Sequence, residues 1–418
     1  MKIIFSFLLC FFLFSVYAAA PGRNSSVSAD MPFLDSDQRW TQEQFEKFMA
    51  SKNIRFDGGD TLRSAFLKNQ KFFGVPAIEL RAYYNKEKKL EQVDFVYVGK
   101  ELSGFTSQSM KYPVSQSARA LFSALTARWG KPSSKKYGVE GRTFNVPAWQ
   151  IRISEIFLED IDSKFLILHI LIGDGRNPAS IGEIEKLNLR GKKFSVNVKR
   201  NDFGDVSIGN IPMVIQSSKG FCAPATVERV LRYYGVSWLT MYSLADKAAV
   251  KRDKSTSFKS VTDATDLACR AVKLYRIHCG KIRMATIKRN VDMGIPVFCF
   301  IKVNSHYEQL CKESRAKRAR AKSPKEWKKY FKVLKLPESG ADTLCLITGY
   351  NDETDEVAVS NSVGGSEIEP VWVPFKAVRK LASMSSFILL SPTGDININD
   401  ERKRYNNRSR GQKQNNKK

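Results

Sequence analysis

The chain has 418 residues, and its 68 basic and 42 acidic residues give a formal net charge of +26 at pH 7. This length exceeds what one hydrophobic core usually serves, so we expect two folded domains. The sequence holds only three histidines and no pair of cysteines spaced as C-x-x-C, which argues against a structural zinc site. We therefore expect neither a metal nor a cofactor.

The first 20 residues have the pattern of a secretory signal peptide. Lys2 precedes an apolar run from Ile3 to Val16, and small residues follow at Ala18–Ala20. The run is short for a membrane span, and no later stretch of the sequence has enough uninterrupted apolar length. We therefore expect cleavage near Pro21 and a secreted or periplasmic protein without a transmembrane segment. We expect the mature protein to begin with a linker over residues 21–35.

Residues 36–175 have the pattern of a small α+β domain in which helices pack on one sheet. Thr41 and Gln44 have the spacing of a helix capping box, and Phe45 and Met49 then fall on one helical face. Alternation of apolar residues predicts two hairpins, and a second helix lies between them. The predicted elements are a helix over 40–50, strands over 78–84 and 93–97, a helix over 115–129, and strands over 149–158 and 164–172.

No residue of this first domain indicates its role. His169 lies between apolar neighbours in the last predicted strand, which is typical of a core or edge histidine. Gly, Pro, Asn and Ser residues then mark a domain boundary near residues 173–193, and we place the linker at 176–200.

Residues 201–393 form the second predicted domain, in which helices come first and strands later, as in an α+β architecture. Inside it lies a basic insert over residues 311–336, which we expect to be an exposed helical excursion broken at Ser323-Pro324. The other predicted elements are a strand over 207–216, helices that start at Cys222 and span 238–250 and 260–272, and strands over 272–279, 295–303, 343–351 and 356–362.

The basic charge is concentrated in two segments. Residues 312–335 hold eleven basic and two acidic residues, and residues 401–418 hold eight and one, within a tail over 394–418 that we expect to be disordered. Such segments suit an anionic envelope polymer, a membrane surface or nucleic acid, although a solvated face and a soluble tail would have the same composition. No recognised nucleic-acid-binding motif accompanies the charge.

Cys222 stands where a helix is predicted to begin, and this position favours a reactive thiol. Free backbone N–H groups at a helix N-terminus stabilise a thiolate, and Pro224 suits the first helical turn. Gln216 ends the preceding strand-like segment, so its side-chain amide could donate to a developing oxyanion. The alternative is that Cys222 is a small buried apolar residue.

Residues 210–392 resemble the papain-like cysteine peptidase superfamily, and within it the bacterial branch similar to double-glycine, or bacteriocin-leader, peptidases. Gln216 and Cys222 match the glutamine and the nucleophile of that family, and "GYN" followed by "SNSVGG" resembles its later sheet and its Asn-Ser-Trp-Gly turn. The resemblance implies a papain-like α+β fold, a peptide or protein substrate or ligand, and an orienting role for Asn361. The stretch "VWVPFKAV" resembles the strand that commonly follows the turn.

The sequence departs from the family at the catalytic base. The position that matches the histidine holds Thr343, which cannot take a proton from the thiol. The neighbouring Asp342 would repel a thiolate. His306 follows the strand 295–303 and is a candidate replacement base, with a solvated loop histidine as the alternative, and His278 has the pattern of a strand-end residue.

Three functions remain open. The first is an exported thiol hydrolase that uses Cys222, Gln216, Asn361 and a base such as His306. The second is a catalytically inactive relative that binds peptides or serves as an envelope scaffold. The third is a protein that binds an anionic polymer. Besides Cys222 and Cys311 in the insert, the cysteines of the mature chain are expected in the core, with one disulfide among Cys269, Cys279, Cys299 and Cys345 as the alternative.

Overall fold

The structure is a computed structural model of the full chain. It describes residues 26–27, 31–67, 70–98, 114–139, 142–152, 154–161, 165–173, 193–216, 221–236, 239–247, 258–272, 274–330, 340–363, 370–384 and 386–390. The predicted signal peptide, the tail at 394–418, most of the linker at 176–200 and the end of the basic insert lie outside these residues. Among the described residues, no helix is both long enough and apolar enough to cross a membrane.

The described residues form helices and mainly antiparallel sheets, which confirms the α+β class. The helices are α1 (Gln42–Ser51), α2 (Val114–Trp129), α3 (Cys222–Tyr233), α4 (Met241–Lys247), α5 (Phe258–Val272), α6 (Met284–Asp292), α7 (Ser305–Arg318), α8 (Pro324–Tyr330) and α9 (Phe375–Leu381). The strands are β1 (Ser26–Val27), β2 (Asp57–Gly58), β3 (Leu62–Phe66), β4 (Lys71–Phe72), β5 (Val75–Pro76), β6 (Glu79–Tyr84), β7 (Leu90–Val98), β8 (Ser133–Val139), β9 (Arg142–Ile151), β10 (Ser154–Ile161), β11 (Phe165–Ile172), β12 (Val198–Arg200), β13 (Asp205–Ile208), β14 (Tyr275–Gly280), β15 (Val297–Val303), β16 (Ala341–Asn351), β17 (Glu356–Ser360), β18 (Val371–Pro374) and β19 (Ser386–Leu390).

The first unit is built on an eight-stranded sheet with the strand order β2-β3-β6-β7-β11-β10-β9-β8, here called the first sheet. The predicted capping box is present, because Thr41 accepts from the Gln44 amide and Gln44 accepts from the Thr41 amide. Phe45 and Met49 on α1 are buried, and each contributes about 1.5–3 kcal/mol of hydrophobic stabilisation. The helix and the β6–β7 hairpin predicted from the sequence are therefore confirmed.

One predicted strand of this unit is wrong. Residues 149–158 were expected to form one hairpin arm, but β9 ends at Ile151 and β10 begins at Ser154. The chain reverses at Arg152, which has a positive φ of 45°. The register pairs Ser154 with Ile151, so the apolar residues on both sides of the turn belong to two antiparallel strands.

The second unit is built on a second sheet with the order β12-β13-β16-β15-β19-β14, and β17 and β18 extend it beside β16. Strand β16 pairs with β15, with Thr343 opposite Ile301 and Cys345 opposite Cys299. Helix α3 packs against β16, and the core around it includes Val227, Val230 and Leu231.

Three expectations for this unit need correction. The strand predicted over 207–216 ends at Ile208, since Asn210 adopts φ 62° and Pro212 lacks an amide donor. In "VWVPFKAV" only Val371–Pro374 is a strand, and a helix follows from Phe375. Helix α6 was not predicted, because the short apolar runs on either side of it dominated the pattern of this region.

The basic insert is helical where it is described, and it breaks before Pro324 as predicted. It is not simply an exposed excursion, because Cys311 and Ser314 of α7 and Trp327 of α8 are buried. Arg318 at the end of α7 bonds Asp205 and Glu356 of the second sheet. The insert is therefore attached to the sheet by both apolar and ionic contacts.

Candidate functional site

Cys222 is the first residue of α3, and its sulfur lies against the backbone of β16. The Leu344 amide donates to Sγ at 3.2 Å, and Sγ donates to the Leu344 carbonyl at 3.4 Å. Both backbone groups of Leu344 therefore point away from β15 and toward the thiol. The amide contact favours a thiolate and the carbonyl contact favours a thiol, and the residue is only 4% exposed.

The segments that carry Gln216 and Asn361 meet beside this cysteine. The Gln216 amide donates to the Ser362 carbonyl at 2.8 Å. The Ser362 hydroxyl lies 3.1 Å from that of Thr226, which donates to the Leu344 carbonyl at 3.2 Å. Because Thr226 is one helical turn beyond Cys222, these hydrogen bonds join the strand end, the helix and the later turn around one place on β16.

The side chains of the two predicted amides differ in their contacts. Asn361 Oδ1 accepts from the Val363 amide at 3.1 Å, so this carboxamide caps its own turn. Gln216 Oε1 is buried and has no hydrogen-bond partner in the part of the chain that the structure describes. A buried oxygen without a donor is costly, and it offers an acceptor to a bound ligand.

The three histidines of the chain lie in three separate places. His169 is buried in the first unit, where its Nδ1 lies 2.9 Å from Asp94, so the core or edge position expected for it is observed. His278 is exposed on β14, at the far edge of the second sheet from β16. His306 is exposed in the first turn of α7, and it makes no hydrogen bond or ion pair with any described residue. It is therefore a helix residue, and the loop expected for it is wrong.

Thr343 is half-buried next to Leu344, at the level of the Cys222 sulfur along β16. Asp342 precedes it, and one of its carboxylate oxygens is buried without a hydrogen-bond partner among the described residues. The position that the resemblance assigns to the base is thus next to the thiol, and it carries a hydroxyl in place of an imidazole.

Sequence reasoning missed Arg229, which holds the Asn361 turn onto α3. Its buried guanidinium donates to the carbonyls of Asn361 and Pro212 at 2.7 and 3.0 Å, and to the Ser360 hydroxyl at 2.7 Å. Burial lowers its pKa to about 10. The sequence feature that could have pointed to Arg229 is its position next to Val230, which lies on the apolar face of the predicted helix.

A second missed feature is an ionic network between the two units. Arg81 on β6 donates to Glu79 at 3.0 Å and to both oxygens of Glu228 on α3 at 3.0 and 3.2 Å. Arg232 donates to Glu228 at 2.7 Å, and Tyr242 donates to Glu79. Burial alone would lower the pKa of Arg81, but Glu228 and Glu79 outweigh it and raise this pKa well above its usual value.

Apolar contacts surround this network and extend to the residue that precedes Cys222. The odd-numbered residues of β6 face α3 and α4, while Leu80 and Ala82 face the core of the first unit. Both faces of β6 are thereby buried. The residues of the shared cluster are Leu62, Ile78, Tyr83, Val96, Ile167, Val214, Phe221, Ala225, Met241, Tyr242 and Ala245.

The six described cysteines form no disulfide with one another. Cys299 and Cys345 are buried in the core, as expected. These two residues lie opposite each other on β15 and β16. Burial raises the pKa of Cys299 to about 12 and raises that of Cys345 well above its usual value. Within the described ranges, no group of three or more His, Cys, Asp or Glu residues is arranged to hold a metal ion.

A cysteine at the start of a buried helix, set against the backbone of an antiparallel sheet, resembles the arrangement of a papain-like cysteine peptidase. Residues 208–380 match the Peptidase_C39 like family, which confirms the resemblance predicted for the second unit. The first unit lies outside the matched segment.

A comparison with curated proteins finds no match. A comparison with solved structures finds a protein described as a C39-like peptidase from Bacillus anthracis. It is 11% identical, has a TM-score of 0.31, and the similarity covers 45% of this chain and 98% of that chain.

Proposed function

We propose that this protein is an exported homologue of the papain-like peptidases whose cleft at Cys222 binds peptide segments and does not hydrolyse them at the rates of a peptidase. The observation that carries the proposal is Thr343 beside Leu344, where the family resemblance requires the base. In a thiol peptidase an imidazole at this place stabilises the thiolate and later protonates the leaving amine. Loss of that imidazole costs several powers of ten in rate.

The environment of the thiol supports the same conclusion. Cys222 is only 4% exposed, so its thiol pays a desolvation cost to ionise, and the residue offers little surface to a scissile carbonyl. Its hydrogen bond to the Leu344 carbonyl requires the thiol form. The amide contact from Leu344 and the position of Cys222 at the N-terminus of α3 both favour a thiolate, and a slow residual hydrolase would depend on them.

Within this proposal the predicted site residues recognise a ligand. The unpartnered Gln216 Oε1 accepts a backbone N–H of a bound peptide, and the Gln216 side-chain amide donates to a ligand carbonyl. Asn361 keeps its turn in place through the Val363 amide, and Arg229 fixes that turn to α3. His306 would need to move from the first turn of α7 to serve as a base.

Export and contact with an anionic polymer remain part of the proposal. The signal pattern at residues 1–20 supports export. Helices α7 and α8 and the residues between them expose basic side chains that supplement the tail at 394–418, and such a surface attracts anionic envelope polymers. These exposed side chains are Lys312, Arg320, Lys322 and Lys325.

The test uses a peptide library with the mature protein, its Cys222→Ser variant and a Cys279→Ser control. Mass spectrometry reports cleavage, and affinity capture on immobilised protein reports binding. We expect no cleavage by any of the three and equal binding by the wild type and the control. Cleavage that is lost in Cys222→Ser and kept in Cys279→Ser would show an active peptidase. An absence of peptide binding as well as of cleavage would refute the ligand-binding role.

A further inference from the structure

A cavity of about 660 Å³ lies on the second unit, away from the residues of the candidate site. The end of β14 and the start of α6 form one side of its opening. Helix α9 and the residues that follow it form the other side. This volume is within the range of small-molecule sites. Its lining residues are Lys281, Ile282, Arg283, Met284, Phe375, Arg379, Ala382, Ser383 and Met384.

The cavity is strongly cationic. Lys281, Arg283 and Arg379 line it, and none of the nine lining residues is acidic. None of the three forms an ion pair with a carboxylate of the described residues, although ion pairs are common elsewhere on this protein. Three like charges around one concavity raise the local potential for an anion.

Uncompensated hydrogen-bond donors accompany the charge. Arg283 is the N-cap of α6 and gives no side-chain cap, and the first turn carries no acidic residue. The amides of Met284 and Ala285 have no acceptor among the described residues, and the positive end of the helix lies at the cavity, which Arg283 and Met284 line. This arrangement is the one in which helix N-termini bind phosphate groups.

A separate observation comes from the opposite wall. Ser383 lines the cavity, and its hydroxyl oxygen is buried and has no hydrogen-bond partner in the described part of the chain. Its backbone is held in place, because the Ser383 amide donates to the Phe300 carbonyl at 3.1 Å. A buried hydroxyl without a partner is unfavourable unless a ligand or solvent satisfies it.

The remaining walls are apolar. Met284, Met384 and Phe375 contribute them, and the guanidinium of Arg379 lies 6.0 Å from the centroid of the Phe375 ring. At this distance the ring makes a weak cation–π contact, and the guanidinium N–H groups remain available to a bidentate anion. A flat or aliphatic group attached to the anion would rest on the thioether and ring surfaces.

We propose that this cavity binds an organic phosphate, with the phosphate on Arg283, Arg379 and the α6 N-terminus and the organic group on the apolar wall. Three cations and a helix N-terminus favour a dianion over a monoanion, which selects a phosphate monoester over a carboxylate. The site is separate from the cleft at Cys222, and it does not depend on the function proposed for that cleft.

The test is titration calorimetry of the mature protein with phenyl phosphate, inorganic phosphate and phenol at fixed ionic strength. We expect phenyl phosphate to bind one site per chain at least tenfold more tightly than inorganic phosphate, and phenol to give no heat of binding. Arg283→Gln and Arg379→Gln should each weaken phenyl phosphate about tenfold or more. Lys325→Gln, an exposed charge on α8 outside the cavity, should change the affinity less than twofold.

Three results would overturn the proposal. The first is an absence of binding at millimolar phenyl phosphate, and the second is equal affinity for phenyl phosphate and inorganic phosphate. The third is equal weakening of binding by Lys325→Gln and by the two cavity variants, because this result would indicate diffuse charge attraction. Thermal unfolding of each variant, compared with the wild type, confirms that the comparison is made between folded proteins.

Discussion

Replacing Arg81 with methionine should destabilise the protein by about 3 kcal/mol, because it leaves two buried carboxylates without their shared cation. The Arg81 side chain is 1% exposed, and those of Glu79 and Glu228 are 0% exposed. Removal of one partner from a buried ion pair costs about 3–5 kcal/mol. We expect the lower end, since Glu228 keeps Arg232 and Glu79 keeps Tyr242.

The assay is urea unfolding of the wild type, Arg81→Met, Glu228→Gln and the double variant, with the midpoint and slope measured for each. The double variant should be more stable than the sum of the single effects predicts, by about 1–3 kcal/mol of coupling. The matched control is Arg200→Met, which breaks an ion pair with Asp292 of 2.9 Å whose side chains are 64% and 42% exposed, and it should cost less than about 1 kcal/mol. A loss for Arg81→Met as small as that of the control would refute the buried interface between the units.

Three further predictions concern the same scaffold. Proteolytic cleavage between residues 173 and 193 should leave both pieces in one particle by gel filtration, and elution of two separate pieces would contradict the interface. Burial raises the pKa of Glu356 to about 7 from 4.5 for the unperturbed group, although Arg318 opposes the shift. The folded state therefore binds this proton more tightly than the unfolded state does. Stability should fall as the pH rises from about 4.5 to about 7. Glu356→Gln should therefore reduce the loss of the urea midpoint between pH 5 and pH 7, and an unchanged loss would exclude this carboxyl as its source. Iodoacetamide at neutral pH should label half-exposed Cys279 before Cys222, and peptide mapping that finds fast labelling at Cys222 alone would indicate an activated nucleophile.

Local patterns predicted most of the elements, because their signals are contained in a few neighbouring residues. The Thr41 capping box, the β6–β7 hairpin and the helix that begins at Cys222 each follow from short-range spacing. The convergence of Gln216 and the Asn361 turn at Cys222 came from family resemblance. No spacing in the chain specifies that the Gln216 amide bonds Ser362.

The interface between the units could not be predicted, because its polar residues resemble an exposed strand face. On β6 the alternation of Leu80 and Ala82 with Glu79, Arg81 and Tyr83 is the usual pattern of a sheet with one solvated side. The structure buries the polar side as well, against α3 and α4. Pairing of Arg81 with Glu228, which is 147 residues away, is a tertiary property that periodicity does not carry.

The central claim is that the site at Cys222 does not hydrolyse peptides chiefly because Thr343 stands where a peptidase has its base. The most direct measurement is the rate of peptide cleavage by Thr343→His, with Thr343→His/Cys222→Ala as its control. The account predicts that the single variant hydrolyses peptides at least about a hundredfold faster than the wild type and that the double variant does not. Wild-type cleavage as fast as that of Thr343→His would contradict the account, and so would a Thr343→His variant that folds normally and gains no activity.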